Sequence, residues 1–264
     1  MITKPVVARQ PEGPPPPPVV QRLRVRYAKR GPLRFTSHRD FARAFERALR
    51  RAEIPMAYSA GFSPHPKISY AGAAPTGVAS EAEYLEIGLA RACEPDDVRA
   101  ALDAALPTGL DIVAVVEAEP PGLAERLEAS YWRLELPEVP AAEVAAAAEA
   151  LLAAESVPVE RPTKDGTRTV DARAVVLSLG VAEPDTAPNC AILDVVMRHA
   201  IPAVRPDDVL TALRRVSGLS TPVTPRVTRL AQGRLDDASP VEPSGHPRLI
   251  DPLSRDADQT TSPR

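Results

Sequence analysis

The stretch Gln21–Ala52, QRLRVRYAKRGPLRFTSHRDFARAFERALRRA, reads as a strand, a turn and a helix. Leu23, Val25 and Tyr27 alternate with Arg22, Arg24 and Arg26, the period of two that places one strand face in a core and the other in water. The second face is expected to be basic. Ser37 followed three residues later by Asp40 resembles a capping box. After it, Phe41, Ala44, Phe45, Ala48, Leu49 and Ala52 recur at helical spacing.

Working outward, strand-like segments follow at Pro55–Ser59 or Lys67–Tyr70 and at Tyr84–Leu89. A helix starts after Glu94 and Pro95, and Leu110–Val116 closes the unit as a strand. The order is strand, helix, two strands, helix, strand. The second half repeats it. Tyr131–Leu136, Ala174–Val181, Ala191–Met197 and Pro225–Leu230 read as strands, and Ala141–Ala154 and Pro206–Val216 as helices. Glu94-Pro95-Asp96-Asp97-Val98 reappears as Arg205-Pro206-Asp207-Asp208-Val209 at the same place in the order. In both, Pro occupies the first turn and two acids face the positive end of the helix dipole. The expected fold class is α+β: two tandem ferredoxin-like βαββαβ units with disordered terminal tails.

Composition sets the boundaries. The chain has 264 residues, enough for two modest cores, and its 31 prolines concentrate at the ends and in connectors. Residues 1–20, with the proline run Pro14–Pro18, are expected to form a disordered arm. Residues 21–118 would be the first unit, 119–129 a linker and 130–231 the second unit. Residues 232–264, poor in large apolar side chains, would be a disordered tail. The net charge of −3 argues against a protein that coats nucleic acid over its whole surface. Two distant cysteines, Cys93 and Cys190, without a leader ahead of them favour the cytoplasm over a disulfide scaffold. No apolar run approaches the ~20 residues that span a bilayer, so no membrane role is expected.

Charge distribution says more than its sum. Between Gln21 and Tyr70 stand 12 Lys and Arg against 3 Asp and Glu. Arg39, Arg43 and Arg47 fall at four-residue steps on the helix, with Arg50 and Arg51 a turn later, so they share a stripe. Most charged stripes are solvated faces, but those usually mix signs, because like charges four residues apart repel. A stripe of one sign points to an anionic partner. The guanidinium fork suits phosphate oxygens, so RNA or another polyanion is favoured over a simple carboxylate.

Three further features carry chemistry. In Tyr58-Ser59-Ala60-Gly61-Phe62-Ser63-Pro64-His65-Pro66-Lys67, Gly61 allows a turn and the prolines stiffen the chain around His65. The segment reads either as a ligand clamp with Phe62 stacking on a base, or as a connector with Phe62 plugging the core. His38 and His65 are the histidines of the first unit; near phosphate they could act as acid and base in RNA cleavage, whereas His38 could equally just position the helix start. No His, Cys and carboxylate set has metal-ligand spacing. In the second unit, Arg161, Lys164, Arg168 and Arg173 surround the turn signal Asp165-Gly166, which reads as a basic hairpin or loop, with Asp171 pairing Arg173 as the plain alternative.

The string Lys29–Asp40, the Arg-rich helix after it, Tyr58–Pro66 and Glu83-Tyr84 resemble the bacterial radical-SAM-associated domain family of unknown function, over about Arg22–Leu230. In that family the domain is fused behind a cobalamin-binding radical SAM enzyme or encoded near one, often close to a ribonuclease E/G gene; this chain is similar to the stand-alone form. The resemblance implies an accessory protein with a radical SAM partner and no established reaction. A radical SAM catalyst holds its [4Fe–4S] cluster on three clustered cysteines, so two distant ones do not make that catalyst, and no cofactor is expected. The resemblance carries a candidate surface of Lys29, Arg34, Ser37, His38, Asp40, Arg43, Tyr58, Gly61, Phe62, His65, Lys164, Asp171 and Arg173. The expected function is an accessory protein binding RNA or another phosphate-rich ligand. The alternatives are an RNA-processing enzyme using His38 or His65, and a protein-interaction module docking on the radical SAM partner.

Overall fold

The structure, a computed structural model, describes residues 16–163, 166–182, 189–238 and 245–254. Its first half runs β1 (Gln21–Lys29), α1 (His38–Arg51), β2 (Ile68–Ala71), β3 (Ala79–Leu89), α2 (Pro95–Ala105) and β4 (Ile112–Glu117). The second runs β5 (Ala129–Pro137), α3 (Ala141–Ala153), a hairpin of β6 (Pro158–Thr163) and β7 (Gly166–Asp171), a single turn α4 (Ala172–Val175), β8 (Val176–Ala182), β9 (Cys190–Arg198), α5 (Pro206–Ser217) and β10 (Arg226–Leu235). A short β11 (Leu249–Ile250) follows. The fold is α+β. Seven strands run in the order β4-β1-β3-β10-β5-β9-β8, with β2 added to β3 and β11 to β10, and together they form one sheet. The halves join where β3 and β10 pair in parallel, Ala79 against Thr228 and Ser80 against Arg229.

The helices of both halves cover one face. Leu23, Val25 and Tyr27 on β1 meet Phe41, Phe45 and Leu49 of α1, with the Phe41 ring stacked on Tyr27 at 4.3 Å. In the second half Trp132, Leu134 and Leu136 of β5 pack with Val144 and Leu151 of α3 and with Val209 and Leu213 of α5. Burying such side chains contributes about 1.5–3 kcal/mol each, the main favourable term in holding the layers together.

The opposite face differs from the sequence expectation. It is covered, not basic and open. Arg24 is 2% exposed, and its guanidinium is bonded to Glu86 of β3 and to the Pro121 carbonyl at 2.7 Å. Arg26 pairs with Asp251 at 2.7 Å. Between them Ala82, Tyr84 and Val116 pack on Leu123 and Leu253. Charged side chains are buried only where their donors are satisfied, and here the partners arrive from far along the chain. Three boundaries change accordingly. Of residues 119–129, expected as a linker, Ala129 opens β5 and the rest contribute to that cover, with Arg126 buried and donating to the carbonyls of Glu119, Pro121 and Pro252. The tail expected from residue 232 is built in over its described part: Gln232 is buried in β10, His246 bonds Ser178 and Leu253 is 4% exposed. In the arm, Val20 N–H bonds the Leu89 carbonyl at 2.8 Å and Val19 packs on Gly88; residues 1–15 lie outside the described residues.

Candidate functional site

The arginine stripe is as the helix period places it. Arg39, Arg43, Arg47 and Arg50 are exposed, while Phe41, Phe45, Ala48 and Leu49 face the core. Asp40 Oδ1 approaches Arg43 only to 4.0 Å, and among the described residues Arg39, Arg47 and Arg50 make no ion pair. Of the other cations of the stretch, Lys67 is exposed, whereas several are neutralised or enclosed. Arg30 bonds Glu81 and Asp111, Arg22 pairs with Glu86, and Arg51 donates to the Ala105 carbonyl.

The helix start lies beside a cleft. His38, its first residue, packs edge-on against Tyr70 at 4.8 Å and lines a cavity of about 780 Å³ between the two halves. One wall is the Gly72–Thr76 loop of the first half; the other is the chain from Met197 to Asp207, at the start of α5. The floor is the central sheet, with Ser130, Trp132 and Arg229. That volume falls within the usual ~300–1,000 Å³ of small-ligand sites.

Arg229 is 3% exposed and carries the floor. It is paired with Glu83, donates to Ser80 Oγ and Gln232 Oε1, and lies with its guanidinium carbon 5.2 Å from the Trp132 ring centre. Glu83 also accepts from Ala74 N–H at 3.0 Å, and Lys29 Nζ donates to the Pro75 carbonyl at 3.1 Å, so two residues of β3 and β1 hold the loop wall from behind. Burial pulls the Lys29 ammonium below its ordinary value; Glu83 opposes this and Arg229 adds to it.

Ser130 and His199 form a second polar pair in the cleft, Oγ to Nε2 at 2.6 Å. The other ring nitrogen, Nδ1, stands 3.0 Å from the Leu127 carbonyl, an oxygen that only accepts, so Nδ1 carries the proton. Burial holds this imidazole below its ordinary value; the Leu127 bond opposes the shift and the Arg229 charge reinforces it. A neutral ring with Nδ1–H has Nε2 free to accept the Ser130 hydroxyl proton. On the rim stand Arg198 and Arg205, exposed and without an ion pair among the described residues, together with Asp207. Asp208 is taken up elsewhere, accepting from Arg205 N–H and from Arg161 at 2.8 Å.

The residues singled out in sequence divide as follows. Lys29 and His38 belong to the cleft, Lys29 from behind its wall and not on an open surface as expected. Burial of Lys29 is tolerated because Glu83 and two carbonyls surround its ammonium. Arg34 lies over Phe35, its guanidinium carbon 4.7 Å from the ring centre. Ser37 is the helix cap, accepting from Asp40 N–H and donating to its carboxylate at 2.6 Å. Tyr58, Gly61, Phe62 and His65 form a separate projecting loop, closed by Ser59 N–H to the His65 carbonyl at 2.8 Å, with Gly61 at φ 133° near its tip. Phe62 is 70% exposed and does not plug the core. No hydrogen bond or ring contact joins His38 to His65 among the described residues.

In the second half the basic stretch is the β6–β7 hairpin. Asp171 caps α4, accepting from the backbone of Arg173 and Ala174, and Arg173 donates to the carbonyls of Leu152 and Val176. Both hold the local turn together, and Asp171 meets Arg173 through its backbone, not its guanidinium. Lys164 lies outside the described residues. The sequence reading missed Ser130, Trp132, Arg198, His199, Arg205 and Arg229. One signal was available for Arg229: it stands in phase with Val227, on the strand face that should be apolar.

The bacterial family described as "Uncharacterized protein conserved in bacteria (DUF2344)" matches residues 22–206. The chain belongs to this family. The match includes α1, the loop wall, Trp132 and His199, and it ends at the first residue of α5, ahead of Arg229. No curated protein matches the sequence. Among solved structures, one similar chain is in "Crystal Structure of a Cbf5-Nop10-Gar1 Complex", at 11% identity and a TM-score of 0.42 over 86% of this chain and 55% of that one. The protein thus spans about half the length of that chain. Among the described residues no helix is long and apolar enough to cross a membrane, and no cluster of three or more His, Cys, Asp or Glu could hold a metal ion.

Proposed function

We propose that the protein is a cytoplasmic RNA-binding accessory protein that works with a radical SAM enzyme, built from two tandem ferredoxin-like units. The observation that carries the RNA reading is the row of exposed arginines on α1, which starts beside a cleft with further unpaired cations on its rim. Maintaining several like charges on one helix face costs stability unless an anion offsets the repulsion. The tandem reading draws support from the strand orders, β4-β1-β3-β2 in the first half and β10-β5-β9-β8 in the second, which correspond position by position. For the radical SAM partner the support is the sequence resemblance.

The test is binding of single-stranded RNA measured against salt. Each phosphate contact on a single strand contributes a slope of roughly −0.7 in log K against log salt, so engagement by the stripe gives a slope of about −2 or steeper. Arg43→Glu with Arg47→Glu should weaken binding at least ten-fold at low salt. Binding that ignores both salt and these substitutions would sink the reading. If the stripe instead docks on the partner protein alone, the substitutions would weaken partner binding and RNA would not compete with the partner; competition between the two would place both on the same face.

A further inference from the structure

The cleft differs from the stripe in kind. A stripe of exposed arginines takes phosphates in any order, whereas the cleft combines a floor whose charge is paired, apolar side chains on its walls and unpaired cations on its rim. We infer that the cleft receives one nucleotide splayed from its neighbours in a bound RNA strand, its base between the apolar walls above the Arg229 and Trp132 floor and its phosphate at Arg198 and Arg205. This deepens the RNA-binding reading and rests on it.

Three observations support the assignment. First, the floor is rigid and its charge is satisfied: the Arg229 guanidinium is held by Glu83, Ser80 and Gln232, with its carbon 5.2 Å from the Trp132 ring centre. Arg229 and Trp132 line the cleft yet are only 3% and 6% exposed, so they close it from below without opening a guanidinium or ring face. The ion pair with Glu83 neutralises the floor, so it favours a flat, uncharged group over a second phosphate. Second, the walls beside the floor carry the apolar residues Ala73 and Ala74 on one side and Met197 and Val204 on the other, and the one carboxylate of the lining, Asp207, stands on the rim. Third, the cations with no ion pair among the described residues, Arg198 and Arg205, stand on the α5 side, exposed where a phosphate keeps part of its hydration.

Trp132 is the chain's only tryptophan, so its emission reports on the floor without labelling. With the full-length protein, a short uridine-rich single-stranded RNA should change Trp132 emission saturably, and an abasic ribose-phosphate chain of the same length should bind without that change. Uridine 5′-monophosphate alone should produce the emission change at higher concentration, and inorganic phosphate should not. Arg198→Glu with Arg205→Glu should weaken the monophosphate response at least ten-fold; Arg43→Glu with Arg47→Glu should weaken RNA binding and leave the monophosphate response in place. As a second readout, RNA carrying 4-thiouridine should crosslink on irradiation to peptides containing Trp132 or Met197. RNA that binds by anisotropy, yet gives neither the emission change nor crosslinks outside α1, would overturn the cleft assignment and leave the RNA-binding reading standing. An equal emission change from the abasic chain would also overturn it. Absence of RNA binding altogether would remove both.

Discussion

At the scale of single residues, the cleft floor is where chemistry and stability meet. Arg229 and Glu83 are 3% and 2% exposed, and each is the other's counter-charge. Removing one partner of such a pair leaves the other charge buried and alone, which costs about 3–5 kcal/mol. Arg229→Met should therefore lower the unfolding free energy by that order in urea titration, and Arg229→Met with Glu83→Leu should recover much of the loss; a single variant as stable as the wild type would disprove the pairing. His199 gives a pH signature of definite sign. Its folded-state value lies below the ordinary 6.5, so as pH falls below about 6.5 the unfolded chain binds a proton first. Stability should drop between pH 7 and 5, and His199→Asn should reduce that drop, as read from urea midpoints at the two pH values.

At the scale of elements, α1 is the helix whose sequence and structure agree most closely. Ser37 caps it, its aromatics face β1 and its arginines face out. The same arginines repel one another, so function and stability should respond in opposite directions. Arg43→Glu with Arg47→Glu turns the pairs of these positions with Arg39, Arg50 and Arg51 from like to opposite charge; positions 43 and 47 still repel each other and position 43 loses its opposite-charge neighbours Asp40 and Glu46, leaving a net gain of a few tenths of a kcal/mol. The variant should unfold at a slightly higher urea concentration while it loses RNA binding. Lower stability in the variant would mean that the guanidinium groups hold the fold. The hairpin of β6 and β7 was legible as a turn signal at Gly166, but the roles of Asp171 and Arg173 were not, because a local cap and an anion contact use the same residue types.

At the scale of the whole molecule, the back of the sheet depends on segments remote in sequence. Gly233 illustrates how closely they approach: a Cβ there would overlap the Ile250 carbonyl oxygen. Leu253 packs under β3 and β4 with Tyr84 and Val116. Leu253→Ala should cost roughly 2–5 kcal/mol if the segment is part of the cooperative fold, and next to nothing if it is a loose tail. Differential scanning calorimetry separates the two outcomes.

The sequence by itself determined the order of elements, the α1 face and its cap, because these follow from period and neighbours within a few residues of one another. It also determined that Tyr131–Leu136, which holds Trp132, is a strand. Only the tertiary structure decided that Arg24, Lys29 and Arg229 are interior, since a basic residue in an alternating strand is compatible with water or with a buried partner. Their partners, Glu86, Glu83 and the carbonyls of Pro75 and Pro121, come from other strands and loops. The cleft likewise exists only because β3 and β10 pair across the two halves, bringing His38 and Pro206 to opposite sides of one floor. No local pattern encodes a contact between residues separated by more than half the chain; the folded sheet creates it.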